Sequence, residues 1–323
     1  MRDTRENPIL HSIFVAIICT LVIVGLSLLP AFNFLIFLCS IPIVVLAERK
    51  GQFFAVLSLA IIGILIGFID IYVSLLIVIT YASMLIAVPY VIRKRLELAD
   101  SLAICSGAAL VAMVISLKIL SLMVGQDIFT YTWDFMRELT AQDNEVISNI
   151  LELYKSIGIL DNAITSIQFG ELLIDRFKLL TPSMLIISSI IYGGSNFLLS
   201  RRILKRYNIY VQDIPEFSRW KLPRGTTRGF IIILILSSLG LRIGLKNFDV
   251  VVATVSMLFT FIFSIQGLAI LVFILKRTKI PKPLRYIINI FSFLLLKSPL
   301  SIVGVFDQIF NIRGIENGPK NNA

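Results

Sequence analysis

The side chains best placed to do chemistry in this chain are ionisable groups stranded in apolar sequence. Lys118 stands about two turns from the end of an apolar run at 101–125, and Lys297 lies roughly ten residues from either end of another at 286–305. Arg242 sits in a run at 229–245 beside Lys246 and Asp249, Asp70 falls between two runs, and Asp307 and Arg313 follow the last one. A charge at membrane depth is expensive and by default marks ion or substrate chemistry. Arg242 and Asp70 can reach an interface by snorkelling. Lys297 has no such short route. Either it faces a wet cavity or its segment dips in and returns, with Asp70 or Asp307 as the candidate counter-charge. Asn196 adds a carboxamide beside Gly193-Gly194, where two glycines weaken helical backbone. Interruptions of that kind line substrate sites in transporters. Lys118, Asn196 and Lys297 are therefore the candidate substrate-binding residues. The small-residue pairs Gly63/Gly67 and Gly240/Gly244, like Gly193-Gly194, are equally what close helix packing requires.

Catalytic signatures are missing. The chain has no Walker-type glycine loop, no His-Glu-x-x-His, no Gly-x-Ser-x-Gly and no Cys-x-x-Cys. Its one histidine, His11, cannot build a zinc site, and Cys19, Cys39 and Cys105 lie in apolar runs where thiols act as small packing groups. The expectation is a protein that is not an enzyme and needs no metal or cofactor.

The elements that must position these groups follow from composition. The chain is 57% hydrophobic and 15% charged, with mean hydropathy +0.90, far from the balance of a soluble domain. Apolar segments fall at 13–29, 33–47, 53–69, 71–92, 101–125, 178–200, 229–245, 250–275 and 286–305. At about 20 residues per crossing, they predict an all-α polytopic membrane bundle of eight or nine transmembrane helices. The second is short and contains Pro42, as expected of a tilted or partly re-entrant segment. The first lacks a small-x-small cleavage site after it and is read as a retained span. Basic residues cluster after every second segment, at Arg2/Arg5, Arg49/Lys50, Arg93–Arg95, 201–228 and 276–285. These hold 20 of the 30 lysines and arginines. The positive-inside rule then puts those loops and the N-terminus in the cytoplasm. It also accounts for the net charge of +10 through anionic lipid headgroups, with no nucleic-acid partner.

The chain thus divides into five spans at 13–125, an extracytoplasmic interval at 126–177, a sixth span at 178–200, a basic cytoplasmic loop at 201–228, the last three segments at 229–305 and a tail at 306–323. The outside interval carries nine acids against three bases before Lys178. Val146, Ile147, Ile150, Leu151, Tyr154, Ile157 and Leu160 keep helical spacing, with Asn144 or Asp143 as the cap and Gly158 as an interruption. An amphipathic helix across the bundle, or a lid over a cavity, fits that stripe. Trp133 and Tyr131 suit an interfacial anchor. In the cytoplasmic loop, Pro215 and Pro223 bracket Arg219 and Trp220 and forbid one continuous helix. Arg219, Trp220 and Arg224 are the candidate lipid or partner contacts.

The run Pro215-Glu-Phe-Ser-Arg-Trp-Lys-Leu-Pro-Arg224, the ending Gly304-Val-Phe-Asp307…Arg313, and Ser40-Ile-Pro42 with Glu48-Arg-Lys-Gly51 together resemble the YybS-like bacterial membrane proteins across most of the chain. The resemblance implies a polytopic protein of the bacterial cytoplasmic membrane. It also implies a distant similarity to the substrate-binding membrane subunits of energy-coupling-factor transporters, which have six spans, a loop lid over an outward cavity and a helical face for an energising partner. Two departures stand out: the Ala-x-x-x-Ala docking pattern is missing after Ala16, and there are three segments more than six. The leading expectation is a small-molecule transport component. The alternative is a non-transporting scaffold in cell-envelope assembly that recruits partners through 201–228. An odd number of crossings puts the C-terminus outside, whereas a returning last segment keeps it in the cytoplasm.

Overall fold

A computed structural model of the chain describes residues 7–141, 145–158, 160–161 and 164–315, the side chains at 139–141 and 145–147 excepted. The described residues form helices and connecting turns, with no strand among them. They fall into two compact units: Met1–Lys178 with Ser188–Gln212, and Leu179–Ile187 with Asp213–Ala323.

The first unit opens with α1 (Pro8–Ser27), whose first turn is capped by Asn7 accepting from the Ile9 amide at 3.2 Å. A 3-10 segment, Pro30–Cys39, then continues into α2 (Ser40–Lys50). The short, proline-bearing second segment is therefore an interrupted element whose first half is 3-10. Gly51, at φ +114°, makes the abrupt turn into α3 (Gln52–Gly67); only glycine adopts that conformation without strain. Asp70 caps α4 (Ile71–Lys94), accepting from Tyr72 and Val73 amides at 2.8 and 3.1 Å. That duty explains a carboxylate between two apolar runs, and it leaves Asp70 serving backbone rather than Lys297. Next come α5 (Leu98–Val124), α6 (Ile128–Ala141) and α7 (Glu145–Ser156). A capping box at Thr165 and Gln168 then starts α8 (Ser166–Arg206).

Packing in this unit is built around α2. Ile41, Val44 and Val45 enter one core with Met84, Val88 and Phe197, while Ile43 and Ala47 enter a second with Leu59, Ile62 and Tyr81. A helix apolar over most of its surface must be largely enclosed, and in α2 Ile41 and the run Ile43–Ala47 are buried while Pro42 is exposed. Gly193 lets α8 press on α5, since a Cβ there would run into the Cys105 backbone. Gly63 and Gly67 face Ser74 of α4, whose hydroxyl donates to the Gly63 carbonyl at 2.6 Å. At these two places the small residues pack helices together.

In the second unit the strip 213–225 leads into α9 (Thr226–Arg242), then α10 (Phe248–Lys276), α11 (Lys282–Leu295) and α12 (Lys297–Phe310). The hairpin of α9 and α10 is closed by Phe230 on Phe259 and Phe263. Gly240 admits the Phe248 ring, whereas Gly244, at φ +77°, belongs to the turn. Backbone-to-backbone contact joins α10 to α12: a Cβ on Gly267 would strike Leu300, and one on Gly304 would strike Phe263.

The all-α membrane class stands, but the count of eight or nine crossings is too high. Among the described residues, six helical segments are long and apolar enough to span, or up to seven if the bent pair α11–α12 is one span. Two expected spans fall short because α3 has 16 residues and α9 has 17, where about 20 are needed. The last run, 286–305, is broken by a 100° bend between α11 and α12. Conversely, α8 is 41 residues long, about 60 Å at 1.5 Å per residue. It extends the expected 178–200 span in both directions. In the interval before it, α7 ends at Ser156 ahead of Gly158, and Leu151 and Phe169 are buried, Phe169 against Tyr154. The proposed caps Asn144 and Asp143 lie outside the described residues, as do Arg2 and Arg5.

Candidate functional site

Two buried polar clusters, one in each unit, contain the groups that could do chemistry. In the first unit the cluster surrounds the junction of the 3-10 segment with α2. Poorer hydrogen-bond geometry in a 3-10 helix leaves carbonyls open to outside donors, and side chains from three helices use them. Tyr81 of α4 donates to the Ile36 carbonyl at 2.6 Å, and Asn196 of α8 donates to Phe37 at 3.4 Å and to Tyr192 at 3.0 Å. The Cys19 thiol of α1 approaches the Cys39 carbonyl at 3.6 Å. Ser40 donates to Phe37 at 2.9 Å and is also hydrogen-bonded to Asn196 Oδ1. Tyr192 donates to Thr80 at 2.9 Å. Ser40 and Asn196 are both fully buried.

Depth follows from chain length. Ser40 is ten residues before Lys50 in α2, and Asn196 ten before Arg206 in α8, about 15 Å each at 1.5 Å per residue. Both helices end in the same basic region: the Arg49 guanidinium stacks on the Tyr207 ring at 3.8 Å, Arg93 pairs with Glu48 at 2.9 Å, and Arg95 stacks on Tyr210 at 4.4 Å. Within this unit, basic clusters that lie far apart in sequence share one end, as alternating spans require. The Ser40–Asn196 contact sits about half of a roughly 30 Å hydrocarbon core away from that end.

In the second unit the cluster centres on Asp307 and Arg313, whose side chains are 0% and 1% exposed. Asn311, in the left-handed conformation at φ +50°, turns the chain back after α12. Arg313 then donates to Asp307 from its amide at 3.2 Å and from its guanidinium at 3.2 and 2.8 Å. The rest of the guanidinium holds the carbonyls of Ser218 and Trp220 at 2.7 and 2.8 Å. Gln266 of α10 donates to Asp307 at 3.1 Å and accepts from the Leu222 amide at 3.2 Å. Gln308 donates to the Leu222 and Pro223 carbonyls. Lys221 reaches Asn311 at 2.7 Å, and Lys276, at the end of α10, reaches Glu216 at 2.5 Å. That hydrogen bond and its charge hold the Glu216 carboxyl below the usual range, while burial lowers Lys221 from its ordinary value. Gln266 is 18 residues from Phe248, about 27 Å along α10, so this cluster lies near one edge of a core about 30 Å thick. One strip, 216–223, thus binds both the end of α10 and the end of α12.

The expected substrate residues are placed differently from one another. Asn196 is at the heart of the first cluster. Lys118 is exposed on α5. Lys297 is exposed at the α11–α12 bend, its ammonium 5.9 Å from the Phe293 ring. Neither proposed carboxylate pairs with Lys297, because Asp307 is taken by Arg313 and Asp70 caps α4. Of the expected lipid or partner contacts, Arg219 and Arg224 are exposed, and Trp220 is half-buried, edge-to-face with Phe217 and with its indole N–H on the Pro215 carbonyl. Sequence reasoning passed over Gln266, Tyr81 and Tyr192. Gln266 had a usable signal, as a lone carboxamide inside the run 250–275. The tyrosines had none, since buried and interfacial tyrosines look alike in sequence.

Comparison with known proteins gives a consistent picture. The chain is 22% identical to the Uncharacterized protein YybS of Bacillus subtilis (strain 168) over 327 aligned positions, covering 97% of this chain and 99% of that protein. No solved structure matches it significantly. The profile described as Predicted membrane protein (DUF2232) matches residues 16–308. With nine-tenths of its length matched and several apolar helices in its fold, this chain belongs to the DUF2232 family of predicted membrane proteins.

Proposed function

We propose that this chain is a small-molecule transport component of the bacterial cytoplasmic membrane, with its N-terminus in the cytoplasm, no chemistry of its own, and a substrate contact built on Asn196 and Ser40. The observation that carries this reading is the interrupted element 30–50, whose 3-10-to-α junction meets a buried carboxamide about 15 Å from the basic end. Irregular backbone at membrane depth is tolerated only inside protein or against a cavity. Interrupted helices near the midplane are where secondary transporters bind substrate. The Asn196 carboxamide donates to the Phe37 and Tyr192 carbonyls and accepts from Ser40, so a substrate would exchange for these contacts, and the class that can do so is a small polar, uncharged or zwitterionic molecule.

The test is native mass spectrometry of the full chain purified gently from its own membrane, beside the Asn196→Leu and Tyr81→Phe variants. The reading expects a small molecule bound at fixed ratio to the wild type and lost from Asn196→Leu. Retained lipid alone, with no small molecule at any protein concentration, would overturn it.

One observation favours the scaffold alternative. The strip 216–223 has its backbone held by Arg313 and Gln308 while Arg219 and Arg224 remain exposed, which makes a fixed basic surface for an acidic envelope-assembly or energising partner. Under that reading, Arg219→Glu with Arg224→Glu abolishes partner capture, and Asn196→Leu leaves it intact.

A further inference from the structure

A cavity of about 230 Å³ opens at the basic end of the first unit, where α1 begins and α2 and α8 end. Its wall is apolar, with Val15 from α1, Ile41 and Leu46 from α2, and Ile203 from α8, and its rim carries Arg49 and Lys50. The volume is below the roughly 300–1,000 Å³ typical of pockets that enclose a whole small molecule. It suits an extended chain entering from the membrane.

The rim has a specific chemistry. Glu48, the nearest carboxylate in sequence, is paired to Arg93 at 2.9 Å. Among the described residues, no carboxylate pairs with Arg49 or Lys50. The Arg49 guanidinium carbon lies over the Tyr207 ring, 3.8 Å from its centroid. A cation–π contact of that kind uses no N–H donor in a hydrogen bond to a carboxylate, and those donors are what form paired hydrogen bonds to phosphate. Lys50 adds a compact second charge one residue on. An apolar groove ending in two cations with no carboxylate paired to them among the described residues, one of them held over an aromatic ring, matches a single molecule with an acyl chain and a phosphate head.

We infer that this groove is a binding site for one anionic phospholipid, its acyl chain between α1, α2 and α8 and its phosphate on Arg49 and Lys50. The inference does not depend on the transport reading, because it uses a different set of residues at the membrane surface. Charge complementarity selects this occupant: a peptide helix would have to present its own phosphate or carboxylate at the groove's end, whereas the leaflet supplies such heads next to the opening.

The experiment uses the full chain in a neutral detergent. Phosphatidylglycerol and phosphatidylcholine are added in turn and bound copies are counted by native mass spectrometry. Wild type is expected to hold one phosphatidylglycerol well beyond the level seen with phosphatidylcholine. Arg49→Gln with Lys50→Gln should weaken that copy about 25-fold, from ~1 kcal/mol per basic residue near an anionic surface and 1.4 kcal/mol per tenfold. Because Arg49→Gln also removes the stack on Tyr207, Lys50→Gln alone serves as the milder variant, with a loss of about fivefold. Val15→Trp fills the groove without touching a charge and should abolish the tight copy. Lys282→Gln, an exposed cation in the other unit, should leave it unchanged. Equal binding of the two lipids, or an undiminished phosphatidylglycerol copy in the Arg49/Lys50 double variant or in Val15→Trp, would overturn the assignment.

Discussion

Removing either member of the Asp307–Arg313 pair tests most directly whether the second unit is assembled as described. Arg313 makes three hydrogen bonds to Asp307 and two to the carbonyls of Ser218 and Trp220. Asp307→Ala would leave a guanidinium with 1% exposure holding only two neutral acceptors. Breaking a buried pair from one side costs about 3–5 kcal/mol, because the remaining charge is uncompensated. Arg313→Met should cost a similar amount, about 3–5 kcal/mol, as Asp307 keeps only two neutral hydrogen-bond donors, the Gln266 carboxamide and the backbone amide at 313. The double variant Asp307→Ala/Arg313→Met removes both charges. Its residual cost is the two orphaned carbonyls, at about 1–3 kcal/mol each. At mid-range the singles together, about 8 kcal/mol, exceed the double, about 4 kcal/mol, by about 4 kcal/mol, a coupling that neighbouring groups show and distant ones do not. The assay is reversible unfolding in mixed micelles by titration with a denaturing detergent, repeated on the four proteins of the cycle. Singles that each cost under about 1 kcal/mol, or a double equal to their sum, would refute the buried-pair argument.

Further outcomes follow from the same geometry. Gly267→Ala and Gly304→Ala should each destabilise by at least about 1–3 kcal/mol, since the added methyl meets backbone that cannot move aside; thermal unfolding would show it, and wild-type stability would contradict the α10–α12 contact. Asn196→Leu should cost about 1–3 kcal/mol by leaving buried hydroxyl and carbonyl partners unmatched, measured in the same detergent titration. The Glu216 carboxyl has a folded-state pKa below its unfolded value. Its contact with Lys276 therefore contributes above the unfolded pKa, about 4.3, and is lost as pH falls through the lowered folded value. The gap in unfolding midpoint between wild type and Glu216→Gln should be small, as the pair is solvent-exposed, and should close on acidification. A gap that widens toward low pH would contradict that sign.

The fold class and the places of several helices could be read directly from the residues because they depend on local quantities. Runs of apolar residues about 20 long, and basic clusters after every second run, report partition between water and lipid one segment at a time. The helices α1, α4, α5 and α10 appear within a few residues of their expected places. Pro42 and the shortness of 33–47 suggested a tilted or partly re-entrant second segment, and the structure has there a 21-residue helical stretch, Pro30–Lys50, whose first half is 3-10. Within the basic loop at 201–228, the stretch bracketed by Pro215 and Pro223 was legible as chain that forms no continuous helix, whereas the loop's two ends belong to α8 and α9.

What no local pattern could supply was the pairing of groups far apart in the chain. Ser40 meets Asn196 across 156 positions, and Arg313 meets Ser218 across 95. Lys297 looked the hardest charge to explain, yet it lies exposed at a bend, while the fully buried carboxylate is Asp307. A helix also shows nothing in its sequence of where it stops being needed as a span: α8 runs 41 residues because tertiary contacts outside the apolar stretch hold its ends. Hydrophobicity is a property of single residues and sets which segments leave water. The satisfaction of buried polar groups is a property of pairs, and only the folded arrangement determines which pairs exist.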